Sequence, residues 1–366
     1  MQGKIRWMAV AVVVSLLMGM LGGLHAKDKN AVAKVEPKHE YKKLPKRERP
    51  TWRFEFANDV FFDSDNQFTN GFTFQKFSTI SESLDDLAGT CAWGKRIARG
   101  ILPSKGGLFY RKGITFGQDM QTPEDIEDPD IILDDVPYLG LLASGTSWIA
   151  FDDKRFTGYG ITVGIVGEYS LAEQVQTAVH ELTGSTVPQG WDNQLDNEPV
   201  FNFYYMKKRK LWRNRSFDGA FSGGVAAGNF VTKADVSLET RFGRMPGGFV
   251  YLQDPIGTGM AYDATIPRED VRTEIYGSVV ARVTGLAVFM PVEGNILVSG
   301  NEWTDNNTLD PENYLGQVIL GFHIVRPGWG IHVTWFLTTD TVDRDTLSAD
   351  EDPTADFSTF MIEWRF

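Results

Sequence analysis

The chain has a single cysteine, Cys91, among 366 residues, so no disulfide can form within it. Histidine is scarce too: of five, only His180, His323 and His332 lie beyond residue 50. Past that point no unbroken run of about twenty apolar residues occurs, the length a membrane-crossing helix needs. The nearest, Ser278 to Val292, is interrupted by Arg282 and Pro291. There is no G-x-S-x-G elbow, no H-E-x-x-H pair, no P-loop and no cysteine cluster, so the common hydrolase motifs are missing. Basic charge is outweighed as well, 36 Lys and Arg against 48 Asp and Glu, which argues against nucleic acid as a partner.

What the sequence does have is strict alternation. Phe360, Ile362, Trp364 and Phe366 share one face of the last segment, and Met361, Glu363 and Arg365 share the other. Such a segment is a strand with one apolar and one polar side. Trp52, Phe54 and Phe56 repeat the pattern, as do Phe68, Phe72 and Phe74; Tyr159, Ile161, Val163 and Ile165; and Phe201, Phe203 and Tyr205. Val318, Leu320, Phe322 and Ile324 follow, then Trp329, Ile331, Val333 and Trp335 after a Pro327-Gly328 turn. A secreted antiparallel sandwich also alternates. The length without a domain boundary and the ten Trp, eleven Tyr and twenty-five Phe fit a transmembrane barrel with aromatic girdles better. The fold expected is an all-β, antiparallel outer-membrane β-barrel over residues 51–366, with about twelve strands of ~10 residues each.

The N-terminus agrees with export. Lys4 and Arg6 precede an apolar run, Met8 to Leu21, which ends near Ala26. Residues 1–26 have the form of a signal peptide. Residues 27–50 form a basic, flexible leader: the first fifty residues hold eleven Lys or Arg against four Asp or Glu, and the acidic excess lies in the rest of the chain. Contact with anionic lipid or peptidoglycan is one reading of that leader, and a solvated tail is the other.

Two connections stand out from the strands. Residues 78–111 have some helical character. Residues 168–198 contain a capping box, Ser170 to Glu173, then a short helix to Leu182 with Gly184 as its C-cap. Leu171, Val175, Val179 and Leu182 would form the apolar face of this helix, with Gln176 and His180 opposite. The segment Asn58 to Gly71 carries three Asp and three Asn, the hard oxygen ligands calcium uses, though the same residues also dominate polar turns. With a periplasmic N-terminus, strand parity puts this segment and residues 168–198 at the same outer rim, so Asn58, Asp59, Thr69 and His180 can converge. His323 and His332 fall on the lumen-facing parity and suit hydrogen-bonded lumen residues.

These segments, with Gly117-Gln118-Asp119, Thr122-Pro123, Asp135 to Gly140, Gln174 to His180 and Pro188 to Pro199, resemble the outer-membrane lipid A 3′-O-deacylase family. The resemblance implies a twelve-stranded barrel that removes the 3′-linked acyloxyacyl group of lipid A in a calcium-dependent reaction. Lipid A of lipopolysaccharide in the outer leaflet would be the substrate, with no protein partner. It implies Asn58, Asp59, Thr69 and His180 as site residues. His180 would be general base on a water, and Asp59 the metal ligand. The chain departs from the family pattern at Thr186, where a glutamate is expected; Glu181, Asp192 or Glu198 could stand in. It departs again at Glu124, Asp125, Glu127 and Asp128, where a Lys-Arg pair is expected. Both departures favour a second reading, a non-catalytic barrel of porin or structural type.

Overall fold

The computed structural model describes residues 49–58, 70–104, 107–214, 216–250, 252, 254–267, 273–348 and 351–365. The signal peptide, nearly all of the leader, and Phe366 lie outside the described residues. Fourteen strands are present among the described residues: β1 (Thr51–Asn58), β2 (Asn70–Phe77), β3 (Phe109–Gln121), β4 (Leu139–Phe151), β5 (Arg155–Val166), β6 (Glu198–Arg213), β7 (Phe217–Gly228), β8 (Val231–Arg244), β9 (Gly247–Gly248), β10 (Thr265–Ile266), β11 (Glu274–Phe289), β12 (Tyr314–Val325), β13 (Trp329–Thr338) and β14 (Phe357–Arg365). All but the short β9–β10 pair form one closed antiparallel barrel of twelve strands. The seam is β1 on β14, with Thr51 opposite Arg365 and Asn58 opposite Ser358. Closure leaves no unpaired edge, which a sheet in hydrocarbon requires. No helix among the described residues is long and apolar enough to cross a membrane.

The alternation sorts residues between lumen and exterior. On β1, Thr51, Arg53, Glu55 and Ala57 are buried, while Trp52 and Phe56 are exposed. Phe74, Phe116, Val163, Phe201, Phe322, Trp329 and Phe360 continue the exposed apolar surface round the wall. This is the band a bilayer covers. Inside, Arg53 pairs with Glu363 at 2.7 Å, and Arg111 with Asp263 at 2.5 Å. Arg241 pairs with Asp218 at 2.6 Å. His323 and His332 lie in the lumen as expected: their Nδ1 atoms are 2.9 Å apart, and His323 Nε2 is 2.9 Å from Ser278 Oγ.

Both termini of the barrel lie at the end that carries the tight turns β4–β5, β6–β7 and β12–β13, the periplasmic end in barrels of this kind. From that end the segment after β8 folds up into the lumen. Tyr262 and Asp263 meet the lumen cations, Asp254 takes Arg282 at 2.6 Å, and Tyr204 donates to the carbonyl of Gly257. The lumen is therefore occupied by chain, unlike the water-filled channel of a porin. Sequence periodicity gives no sign of this plug, because its contacts, ionic ones such as Asp254 with Arg282 and apolar ones such as Phe249, Met260 and Ile266 on Phe156 and Val231, follow no regular spacing.

Two of the helices among the described residues pack on the outer surface of the barrel wall. Helix α1 (Ala92–Ile101) belongs to the β2–β3 connection at the periplasmic end, and α2 (Ala172–Thr183) to the β5–β6 connection at the outer end.

Candidate functional site at the outer rim

Asn58 closes β1 on its exterior parity, at the outer end. It lies opposite Asn70 on β2, and Asn70 lies opposite Met120 on β3. Two strand spacings, roughly 10 Å, separate the Asn58 and Met120 backbones. Asp59 and Thr69 lie outside the described residues.

Met120 and Gln118 are on the exterior parity of β3, yet both are buried. The cover is the β5–β6 connection. Met120 packs with Tyr138, Ala172 and Trp191, with Val175 against them, and Tyr138 and Trp191 have their ring centroids 5.0 Å apart. Gln118 Nε2 donates to the carbonyl of Ser170 at 2.6 Å. Gly140 on β4 makes this approach possible: a Cβ there would meet Ser170 Oγ at 2.2 Å and Ala172 Cβ at 2.3 Å. Helix α2 is thus clamped to the outside of the wall over β3 and β4.

Its start differs from the expected capping box. A 3-10 turn, Glu168–Ser170, comes first, and Leu171 takes the N-cap place at φ 61°. It is the one non-glycine residue at positive φ among those described. The cause is Ser170, which is fully buried and pinned by Gln118 before the helix can begin. Such a conformation costs a bulky residue of order 1 kcal/mol or more and persists only where neighbours impose it. Gly184 ends the helix at φ 74°, as expected.

The faces of α2 are the reverse of the sequence reading. Ala172 and Gln176, one turn apart, are buried against the wall, and half-buried His180 continues that stripe one turn further. Gln176 Oε1 accepts from Trp191 Nε1 at 2.7 Å. Leu171, Val179 and Leu182 point away and are exposed, Leu182 by 86%. Only Val175 of the expected apolar face packs inward. The expectation assumed water on the outer side of the helix, whereas this helix stands on a lipid-facing wall.

His180 Nδ1 hydrogen-bonds the backbone carbonyl of Thr186. A carbonyl only accepts, so Nδ1 carries the proton and Nε2 keeps the lone pair in the neutral ring. The residue that stood out as a departure therefore orients the histidine, through a backbone atom that any residue supplies. Glu198 does not replace the missing glutamate. It is fully buried, and its carboxylate accepts from Asn229 Nδ2 at 2.8 Å, Asn295 Nδ2 at 3.1 Å and Ile296 N–H at 2.9 Å, tying outer connections together. Tyr138 has its hydroxyl pushed up to about 12, first by burial and further by the carboxylates of Asp125, Asp128 and Asp135. It stays a neutral donor, to the carbonyl of Ile126 at 3.4 Å.

Gln118 Oε1 and Gln176 Nε2 are buried without a partner among the described residues. They leave one acceptor and one donor unused at the buried contact between α2 and the wall, at residues the sequence pattern did not single out. As oxygen donors, Asn58 and Gln118 suit a hard cation, but they are neutral. Among the described residues no group of three or more His, Cys, Asp or Glu could hold a metal, and Asp59, the ligand suggested by the sequence, lies outside them. Chemically, the rim offers an oriented imidazole base and amide groups on the lipid-facing side of the wall.

Residues 11–366 match the family model described as outer membrane protein LpxR. The fold is similar to that of LpxR from Salmonella typhimurium, with a TM-score of 0.65 at 13% identity, covering 86% of this chain and 100% of that one. The β domain of the Bordetella autotransporter BrkA aligns with a TM-score of 0.40 at 8% identity, over 87% of this chain and 99% of that one. The translocator domain of the autotransporter NalP from Neisseria meningitidis gives 0.35 at 8% identity, over 87% of both chains. No curated protein matches the chain in sequence.

Proposed function

The chain belongs to the outer membrane protein LpxR family, and from that premise we propose that it is a calcium-dependent hydrolase of the outer membrane that removes the 3′-linked acyl group of lipid A in the outer leaflet. The observation that carries this reading is His180, held on a helix against the exterior wall with its Nδ1–H tied to the Thr186 carbonyl. An ester buried in a leaflet can be reached only from the rim or the outside of a barrel, and that is where this base stands.

In this reading His180 Nε2 takes a proton from a water whose oxygen attacks the acyl carbonyl carbon. The Thr186 carbonyl then faces the imidazolium that forms. The carbon–oxygen bond to the sugar breaks, and the proton passes from His180 to the leaving sugar oxygen. Asp59 would hold the calcium, which when bound supplies stabilisation of the oxyanion, with Asn58 and Thr69 as the further site residues.

The test is mass spectrometry of lipid A from cells with and without the protein, in calcium and in excess chelator. The expected result is loss of the 3′ acyl group only with protein and calcium, and its persistence with Asp59→Ala. Lipid A unchanged by the wild-type protein in calcium would overturn the assignment, and full turnover in chelator would remove the cation from it.

A further inference from the structure

Helix α1 lies at the opposite end of the barrel from the site above, and nothing in the proposed reaction uses it. It packs on the exterior of the wall. Ala98, Leu102, Leu84, Leu87 and Leu108 cluster with Tyr110, Trp148 and Tyr159, the exterior residues of β3, β4 and β5, and Ile97 and Ile101 close the contact. Trp148 and Tyr159 stack at 5.1 Å between centroids. Gly94 sits over this pair, with space for a Cβ at 3.7 Å from the Trp148 ring.

The outward side of α1 has a different character. Trp93 is 70% exposed, and Arg96 and Arg99 are exposed beside it. The helix has three basic residues, Lys95, Arg96 and Arg99, and no acidic one. Asp85 binds two of them, through its carboxylate to Arg99 and its carbonyl to Lys95. Arg96 pairs with no described residue. This cationic, tryptophan-bearing face is carried on a barrel whose chain has a net charge of −12, so it runs against the overall electrostatics.

Position decides the partner. The same exterior strands carry the apolar band: Ile114 and Phe116 on β3 and Val163 on β5 are exposed above the helix, toward the middle of the wall. The surface under α1 is therefore continuous with the surface that lipid covers, and α1 sits where that band meets the periplasm. Exposed Trp and basic side chains where an apolar band ends are the residues that settle in a headgroup layer.

We infer that α1 is an interfacial helix that binds anionic phospholipid headgroups of the periplasmic leaflet through Lys95, Arg96 and Arg99, with Trp93 seated at the headgroup level. The site would fix the depth and tilt of the barrel from the end remote from the outer rim. Lipid phosphate is the ligand, presented at a bilayer surface.

Cys91 provides the probe. It is the only cysteine, it is exposed, and it caps the first turn of α1, its Sγ accepting from Gly94 N–H at 3.4 Å. The intact barrel, spin-labelled at Cys91, is placed in nanodiscs of phosphatidylcholine alone or with phosphatidylglycerol, and its collisions with oxygen and with a water-soluble nickel chelate are compared. The expected result is a label at headgroup depth, shielded from nickel in phosphatidylglycerol discs. Phosphatidylglycerol enrichment around the barrel should fall at least about fivefold for each cation reversed, as in Arg96→Glu, since the loss of one basic side chain near an anionic surface alone is worth about that much. Heat-modifiable gel migration verifies that each variant is a folded barrel. Full nickel access in both discs would overturn the proposal. Identical depth and enrichment in Arg96→Glu with Arg99→Glu would reduce the contact to apolar seating and overturn the headgroup assignment. Shielding found in cell envelopes but in neither disc would assign the face to a protein partner instead. Inorganic phosphate at millimolar concentration should leave the label unmoved, and release of the helix by it would overturn the requirement for a bilayer.

Discussion

Helices α1 and α2 stand on the same outer wall at opposite ends, and their faces are arranged in opposite ways. Helix α1 buries Ala98, Ile97, Ile101 and Leu102 against the strands and turns its cations outward. Helix α2 buries Ala172 and Gln176 and turns Leu171, Val179 and Leu182 outward. For a helix in water, apolar residues face the protein, and α1 follows that rule on its inner side. Helix α2 breaks it because its outer surroundings are apolar and the wall beneath it carries polar groups, Gln118 among them. A stripe of small and polar residues held against a wall, with a buried amide hydrogen-bonded to Trp191 Nε1, has no packing advantage over an apolar one. It makes a polar contact instead, and His180 is the last member of that stripe.

The sharpest way to break the comparison is at His180. His180→Ala is expected to lower deacylation about 10²–10⁴-fold, the usual loss of a general base, with heat-modifiable migration unchanged. His323→Ala and His332→Ala should each keep most activity, since that pair lies in the lumen with Ser278, away from the exterior wall. Wild-type turnover in His180→Ala would leave α2 as a structural helix no different in kind from α1.

The seating of the two helices gives the next test. A side chain at Gly140 cannot avoid Ser170 and Ala172, whereas one at Gly94 meets Thr90 Cγ2 at 3.1 Å and Trp148 at a full van der Waals distance. Gly140→Val should therefore lift α2 from the wall and cost up to about 10²-fold in activity, the penalty of a base displaced by an ångström. Gly94→Ala should leave turnover within a factor of about two while shifting only the periplasmic helix. Lipid A assays beside label mobility at Cys91 would read both, and equal effects would mean the two helices are not independent.

How much of this was legible depends on what surrounds each residue. The barrel was legible because a wall between lipid and lumen imposes a period of two on every strand: Trp52, Phe54 and Phe56 face out, and Arg53 and Glu55 face in. Parity also put Asn58 and the β5–β6 connection at one rim. The orientation of α2 was not legible, since periodicity finds an apolar stripe without saying which solvent lies beyond it. Gln176 looked like surface and is fully buried. The Thr186 contact was invisible because it is made by backbone. The plug was hidden for a related reason: Asp254, Tyr262 and Asp263 find their partners on strands remote in sequence, and a segment that scatters apolar and charged residues among Gly and Pro shows no period whether it packs or not.

The smallest effect concerns pH, and it too separates the ends. At the outer end Glu351, on the β13–β14 connection, lies beside Asp135 on the β3–β4 connection, close enough for each carboxyl to act on the other's proton. Burial, then the charge of Asp135, pushes Glu351 up to about 8, while burial raises Asp135 as well. A carboxyl whose pKa is higher in the fold than its ordinary 4.5 holds its proton more tightly when folded. Its stabilising contribution is complete below about 4.5 and is lost as pH rises through about 8. Amide exchange, corrected for intrinsic rate, should therefore show the Asp135 and Glu351 connections loosening between pH 5 and 8, with α1 at the periplasmic end as a reference that does not change. Glu351→Gln has no proton to lose, so its outer connections should exchange at one rate across that range. A wild-type profile as flat as that of the variant would mean that the two carboxyls do not share a proton, and that the outer rim is as insensitive to pH as the inner one.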